Sequence, residues 1–151
     1  MFLISSLFGK ESHQRGLMIR IYVDTNVYLD LFLGRSSKFQ SLADFAVFTF
    51  NQVRAGKYQL VVSDWVIEEF RKYSDEKVIN KFLSDFKDGQ VVKILRTKED
   101  EQKARKLSRN YTDALHVILA LKEGCLYLVT QNTRDFGEFG HLIEVTLPES
   151  L

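Results

Sequence analysis

The side chains best suited to chemistry in this sequence are acids placed at the ends and margins of apolar segments. Asp24 ends the run Ile19-Arg20-Ile21-Tyr22-Val23, whose β-branched and aromatic bias reads as a buried strand, and Asp24-Thr25-Asn26 breaks that run. In an open parallel sheet, ligands bind outside the carboxyl ends of the strands, so Asp24 stands in a reactive position. Asp is also a favoured helix cap, and a helix starting near Asn26 offers it that quieter role. Glu69 lies on the flank of the helical stripe Val66, Phe70 and Tyr73 at about 100° per residue, whereas Glu68 points away with Arg71 and Lys72. An acid at the margin of a core costs free energy unless a cation or hydrogen-bond donor meets it, so pairing with a Lys or Arg is the competing role for Glu69. Asp113 opens a helix that is apolar almost all round, where the helix dipole alone would favour an anion. Thr130, Asn132 and Asp135 follow another apolar strand and again set polar groups at a strand's carboxyl end.

Acids converging in one cleft repel each other unless a cation joins them. Hard oxygen donors with no His/Cys cluster suit Mg²⁺ or Mn²⁺ rather than Zn²⁺. Carboxylate-held metals make water more acidic and stabilise phosphoryl charge, so the chemistry indicated is phosphodiester hydrolysis.

The elements that must position these acids alternate. After the first strand, Val27 to Leu33 is a helix ending at the turn cluster Gly34-Arg35-Ser36-Ser37. A second helix carries Leu42, Phe45, Ala46, Phe48, Thr49 and Val53 up to Gly56. Tyr58 to Val62 is a strand, and Ser63-Asp64 caps a helix over Trp65 to Tyr73. A helix from Ser74-Asp75, a strand over Gln90 to Leu95 and a charged helix from the Thr97 capping box follow. Thr112 to Glu123 is the apolar helix, Leu126 to Val129 a strand, Thr130 to Phe136 a loop, and Leu142 to Val145 the last strand. Near-continuous apolar strands alternating with helices imply a central parallel sheet covered on both faces, a three-layer α/β/α sandwich.

With 151 residues the chain fits one domain and buries roughly two-thirds of its unfolded surface, enough for a core without staples. One Pro, eight Gly and 45% hydrophobic residues exclude a long disordered or repeat architecture. Lys+Arg 21 against Asp+Glu 20 leaves +1, so an anionic partner must be held by a local patch. The single Cys125 sits in an apolar run, which rules out an internal disulfide and fits a reducing compartment. No stretch approaches membrane-spanning length and the N-terminal residues lack a signal-peptide pattern, so a cytoplasmic location is expected. Residues 1–17 read as a disordered N-terminal extension ahead of Met18, and residues 18–151 as a single domain.

Four short motifs in register carry a resemblance: V-D-T-N-V at Val23 to Val27, S-x-x-V-x-x-E at Ser63 to Glu69, D-A-L-H at Asp113 to His116, and V-T-x-N-x-x-D-F at Val129 to Phe136. Together, over nearly the whole chain from Met18 to Val145, they resemble the PIN-domain family, whose small members include the VapC-type toxins of toxin–antitoxin pairs. The resemblance implies a PIN-like nuclease domain over residues 18–151. It implies a metal-dependent endoribonuclease that cuts single-stranded RNA to leave a 5′-phosphate, works as a homodimer and is inhibited by a cognate antitoxin. By position, Asp24, Glu69 and Asp113 match the family's main acids. Where many members carry a fourth Asp, this chain has Asn132, and Asp135 is the acid that substitutes. The expected catalytic set is Asp24, Glu69, Asp113 and Asp135, with Mg²⁺ (Mn²⁺ as substitute) held by Asp24, Asp113 and Asp135.

Asn26, Thr130, Asn132 and His116 are the supporting residues; His116 shares a helix face with Asp113 one turn away. Of the basic series near Asp113, Lys106 and Arg109 are the candidate phosphate contacts, together with Arg134 beside Asp135, a solvated helix face being the competing reading. The alternative to catalysis is a degenerate PIN domain that binds RNA or protein, favoured by Asn132. A phosphatase using Asp24 as nucleophile would need an acid at Asn26.

Overall fold

The computed structural model describes residues 18–34 and 41–151. The expected N-terminal extension, residues 1–17, and most of the turn after Gly34 lie outside the described residues. In chain order the elements are β1 (Arg20–Val23), α1 (Thr25–Leu33), α2 (Leu42–Arg54), β2 (Gln59–Ser63), α3 (Asp64–Arg71), α4 (Glu76–Ser84), β3 (Val91–Ile94), α5 (Lys98–Leu107), α6 (Tyr111–Lys122), β4 (Tyr127–Val129) and β5 (Glu144–Thr146). A short 3₁₀ turn, Gly137–Phe139, precedes β5.

Local chemistry sets the boundaries. Gly34, at φ 62°, closes α1 in the left-handed conformation that a side chain would resist. Ser63 caps α3 by accepting the Val66 N–H, and Thr97 with Asp100 forms the expected capping box on α5.

All strands run parallel in the order β3-β2-β1-β4-β5. The crossovers from β1 to β2 and from β2 to β3 step one way, and the one from β3 to β4 returns past β1. Right-handed crossovers therefore put α1 to α4 on one face and α5 with α6 on the other, giving the three-layer α/β/α sandwich. The strand order reverses between β1 and β4, so their carboxyl ends open a crevice there. Ile21, Tyr22 and Val23 of β1, Leu60 and Val61 of β2, and Leu128 and Val129 of β4 are wholly buried. Burial on both faces explains why these strands read as apolar runs rather than alternations.

Three sequence expectations move. On α2 the buried set is Ala46, Thr49, Phe50 and Val53, an i, i+3, i+4, i+7 stripe that leaves Phe48 41% exposed. Helix α3 stops at Arg71, so Tyr73 leaves the inward stripe and is 67% exposed. The last strand begins at Glu144 instead of Leu142, because the amides of Leu142 and Ile143 bond the Phe139 carbonyl in the preceding turn. No helix among the described residues is long and apolar enough to cross a membrane.

Candidate active site

The β1/β4 crevice is built first by the backbone. The Asp24 N–H bonds the Val129 carbonyl at 2.9 Å, continuing the ladder one step beyond the strands. Asp24 then holds extended backbone at the N-cap position of α1, yet its side chain makes no capping bond. Its carboxylate instead turns inward, where Oδ2 accepts the Thr130 hydroxyl at 2.9 Å, and the residue is 4% exposed. The capping role is therefore not what this carboxylate does. Thr130 Oγ1 also accepts the Asn132 N–H at 2.9 Å, and the Asp135 N–H bonds the Asn132 carbonyl at 3.0 Å, folding the loop after β4 over the crevice.

Helix α3 brings Glu69. A Lys or Arg partner is the usual expectation for such an acid, but its Oε1 accepts the Thr25 hydroxyl at 2.7 Å and His116 Nε2 at 2.6 Å. Helix α6 carries both His116 and, in its first turn, Asp113, whose Oδ2 accepts the Asn110 amide at 2.6 Å. Behind His116, Nδ1 meets the Tyr22 hydroxyl at 2.7 Å, and Tyr22 meets Ser63 Oγ at 2.6 Å.

These elements enclose a pocket of about 230 Å³ whose lining includes Asp24, Asn26, Glu69, Lys72, Asp113, Asn132 and Asp135. All four expected acids therefore meet in one place, and Asn132 with them. Thr130 and His116 stand behind the lining as supports, Thr130 under Asp24 and His116 under Glu69. Lys106, Arg109 and Arg134 are exposed and do not line the pocket. A larger hollow of about 360 Å³ beside β3 has a mostly apolar wall of Val62, Ile67, Ile94 and Leu95. Its acids Asp64 and Glu68 are matched by Arg96, and its Arg71 by Glu76, and its remaining charge is the cation Lys93, so no surplus of acids points into it.

The acidic pocket is different electrostatically. Burial raises the Asp24 pKa, and the charges of Glu69 and Asp113 add to that against the lowering influence of His116 and Thr130. Asp113 is raised by burial and by the charges of Glu69 and Asp135, partly offset by the Asn110 bond. Burial works to raise Glu69 as well, but its bonds to His116 and Thr25 and the charge on Lys72 win, so it is held below its ordinary value and stays ionised. Burial pulls His116 down, and the bond to Glu69 with the charges of Glu69, Asp24 and Asp113 more than reverses this. Burial pushes Tyr22 far up, so its hydroxyl keeps its proton.

The donor set fits a hard divalent cation. Asp24, Glu69 and His116 each offer an atom within 4.8 Å of the others. Both nitrogens of His116 are already in hydrogen bonds, which leaves the carboxylate oxygens of the pocket as the available ligands. Such oxygens suit Mg²⁺ or Mn²⁺.

Sequence reasoning missed Tyr22, Ser63, Thr25, Asn110 and Lys72. A Tyr inside a buried strand signals a hidden polar partner, which would have found Tyr22. Lys72 was placed on the outer face with Glu68; because α3 has ended before it, its side chain lines the pocket instead.

Comparison with known proteins agrees with this architecture. A family model described as the PIN domain matches residues 20–134. No curated protein sequence matches the chain. Among solved structures, a toxin-antitoxin complex from Klebsiella pneumoniae aligns with TM-score 0.56 and 20% identity, over 87% of this chain and 99% of that one. VapC20 of Mycobacterium tuberculosis, a Sarcin-Ricin loop cleaving toxin, aligns with TM-score 0.52 and 16% identity, over 78% of this chain and 95% of that one. At those identities the likeness establishes a shared fold.

Proposed function

The chain belongs to the PIN-domain family, and from that premise we propose that it is a Mg²⁺- or Mn²⁺-dependent endoribonuclease, the toxin of a toxin–antitoxin pair. The observation that carries this reading is the pocket at the β1/β4 switch, lined by four acids, Asp24, Glu69, Asp113 and Asp135, with Lys72 as the basic residue of its lining. Surplus negative charge in a partly enclosed pocket is costly unless a cation is bound.

Asp24 and Asp113 would hold the cation and Asp135 would complete its shell from the loop. When bound, the cation supplies Lewis acidity, making water more acidic and screening the phosphodiester's charge. Thr130 fixes Asp24 and Asn110 fixes Asp113, so neither carboxylate needs to reorganise. Glu69, ionised but weakly basic, orients the attacking water by accepting a hydrogen bond from it rather than removing its proton. No side chain attacks phosphorus, and the cleavage leaves a 5′-phosphate. Lys72 at the pocket and the exposed Lys106, Arg109 and Arg134 outside it contact the phosphates of single-stranded RNA. The two similar structures, a toxin-antitoxin complex and a Sarcin-Ricin loop cleaving toxin, support an antitoxin partner and an RNA substrate; a cytoplasmic location and a homodimer belong to the same proposal.

The test is cleavage of a single-stranded RNA with Mg²⁺, with EDTA and with Asp113→Asn as controls; wild-type protein that binds Mn²⁺ but leaves RNA intact would reject it. A second reading, a degenerate PIN domain that binds RNA or protein, is favoured by Asn132 in the pocket wall. Calorimetry with Mn²⁺ separates the two, since a folded protein that takes up no metal keeps only the binding role.

A further inference from the structure

A train of hydrogen bonds passes from the start of α3, beneath the pocket, to Glu69. The Val66 N–H donates to Ser63 Oγ at 3.2 Å; Ser63 and Tyr22 hydroxyls meet at 2.6 Å; Tyr22 meets His116 Nδ1 at 2.7 Å; and His116 Nε2 meets Glu69 Oε1 at 2.6 Å. Ser63, Tyr22 and His116 are each at most 1% exposed. In that setting every proton needs an acceptor, and only some assignments supply one.

Glu69 is a carboxylate and can only accept, so Nε2 of His116 carries a proton. With a neutral ring, Nδ1 then accepts from Tyr22, Tyr22 accepts from Ser63, and Ser63 accepts from the Val66 N–H. All donors point one way, and each hydroxyl is used once as donor and once as acceptor. If the ring is charged, the Tyr22 hydroxyl reverses toward Ser63, but Nε2–H still donates to Glu69. The end of the train that faces Glu69 is therefore the same in both charge states. Because Thr25 also bonds Oε1, two donors hold one oxygen of Glu69, and Oε2 is the oxygen left to the pocket.

We propose that His116, with Tyr22 and Ser63 locking its ring, is a positioning residue for Glu69: it acts through that carboxylate and is not itself a metal ligand. The proposal rests on the nuclease reading for Glu69's task, but not for the geometry, and the tests separate the two. Gln can place an amide N–H near the position of Nε2, and Asn can place one only near Nδ1, so His116→Gln retains the donor to Glu69 and His116→Asn loses it. Both variants bury a neutral amide of similar cost, which makes folding a shared background.

The expected result is kcat within about threefold of wild type for His116→Gln and lowered about tenfold or more for His116→Asn, with KM for RNA unchanged in both. Mn²⁺ affinity by calorimetry should stay within about threefold in both, because Asp24 and Asp113 keep the donors that fix them, Thr130 and Asn110, although His116 Nε2 stands 3.9 Å from Asp24. Equal kcat for the two amides overturns the proposal, and so does a tenfold loss of Mn²⁺ affinity in His116→Gln, which would make His116 a ligand. Nitrogen-15 NMR of the wild-type imidazole, with the ring neutral, reads the geometry without any turnover. A protonated Nε2 supports the train and a bare Nε2 overturns it, whereas absent cleavage beside a protonated Nε2 condemns the nuclease reading alone.

Discussion

Two clusters of acids lie on either side of α3, and they are built on opposite terms. On one side Asp64, Glu68 and Glu101 surround Arg96: its guanidinium bonds Glu68 at 2.6 Å and Glu101 at 3.1 Å, stands 3.8 Å from Asp64 and stacks 5.0 Å over the Trp65 ring. On the other side Asp24, Glu69, Asp113 and Asp135 share a pocket with Lys72, and the group beneath them is the buried imidazole of His116. Burial of Arg96 works against its charge, but the acids outweigh it and its pKa is raised. In the pocket it is the acids that are perturbed, Asp24 and Asp113 upward. A cluster that supplies its own cation ties elements together. One with more acids than bases favours a cation from solution.

The largest break in this contrast is chemical. Asp113→Asn or Asp24→Asn should lower RNA cleavage by about a thousandfold or more while the fold persists, measured by initial rates and circular dichroism. Cleavage at the wild-type rate with Mg²⁺ by either variant would end the metal-site reading.

Next comes binding of the cation itself. Mn²⁺ at about a hundred times its dissociation constant should raise unfolding free energy by about 2.7 kcal/mol, an effect abolished in Asp24→Asn. The Arg96 cluster predicts the converse. Arg96→Met should cost about 1–2 kcal/mol in chemical denaturation, because its acids are partly exposed, and should leave Mn²⁺ affinity as it was.

Acidity sharpens the comparison further. Groups raised in the fold contribute stability that is fully present below their unfolded pKa and lost as pH rises through the folded one. For Asp24 and Asp113 that loss begins above their ordinary 3.8, and for His116 above its ordinary 6.5. Glu69 is lowered and acts in the other sense: its contribution is present above 4.5 and lost as pH falls. In EDTA the protein should therefore lose stability between pH 5 and pH 8, and Asp24→Asn should flatten that slope; a wild-type slope of the opposite sign rejects the assignment. The smallest effect expected is from Asn132→Asp, which adds an acid to the pocket wall and should tighten Mn²⁺ binding by a few-fold, read by calorimetry.

The contrast also shows what a sequence displays and what it conceals. Asp24 and Asp135 are legible because they follow apolar strands, Glu69 because it flanks a helical stripe and Asp113 because it opens an apolar helix, and the alternation of strands and helices implies the three-layer fold. The strand order was not legible as such, and with it the switch between β1 and β4 that makes Asp24 and Thr130 neighbours across 106 residues. The hidden partners share a cause. Tyr22 and Ser63 look like ordinary strand residues, since a hydroxyl's partner lies on another strand or helix. Glu68, which points away from the inward stripe as expected, bonds Arg96 from 28 residues away. Lys72 changed sides because a helix end differed by two residues from the expected one.

The bond between Thr130 and Asp24 also sets when the site comes into being. Asp24 leaves the ribosome early, on the first strand, but β4 must be made and paired beside β1 before Thr130 can reach it. Such distant pairing forms late in folding. A growing chain interrupted before β4 carries Asp24, Glu69 and Asp113 without the strand that draws the first of them into place. An enzyme that cuts RNA would thus remain harmless to the message and machinery producing it until synthesis was nearly finished.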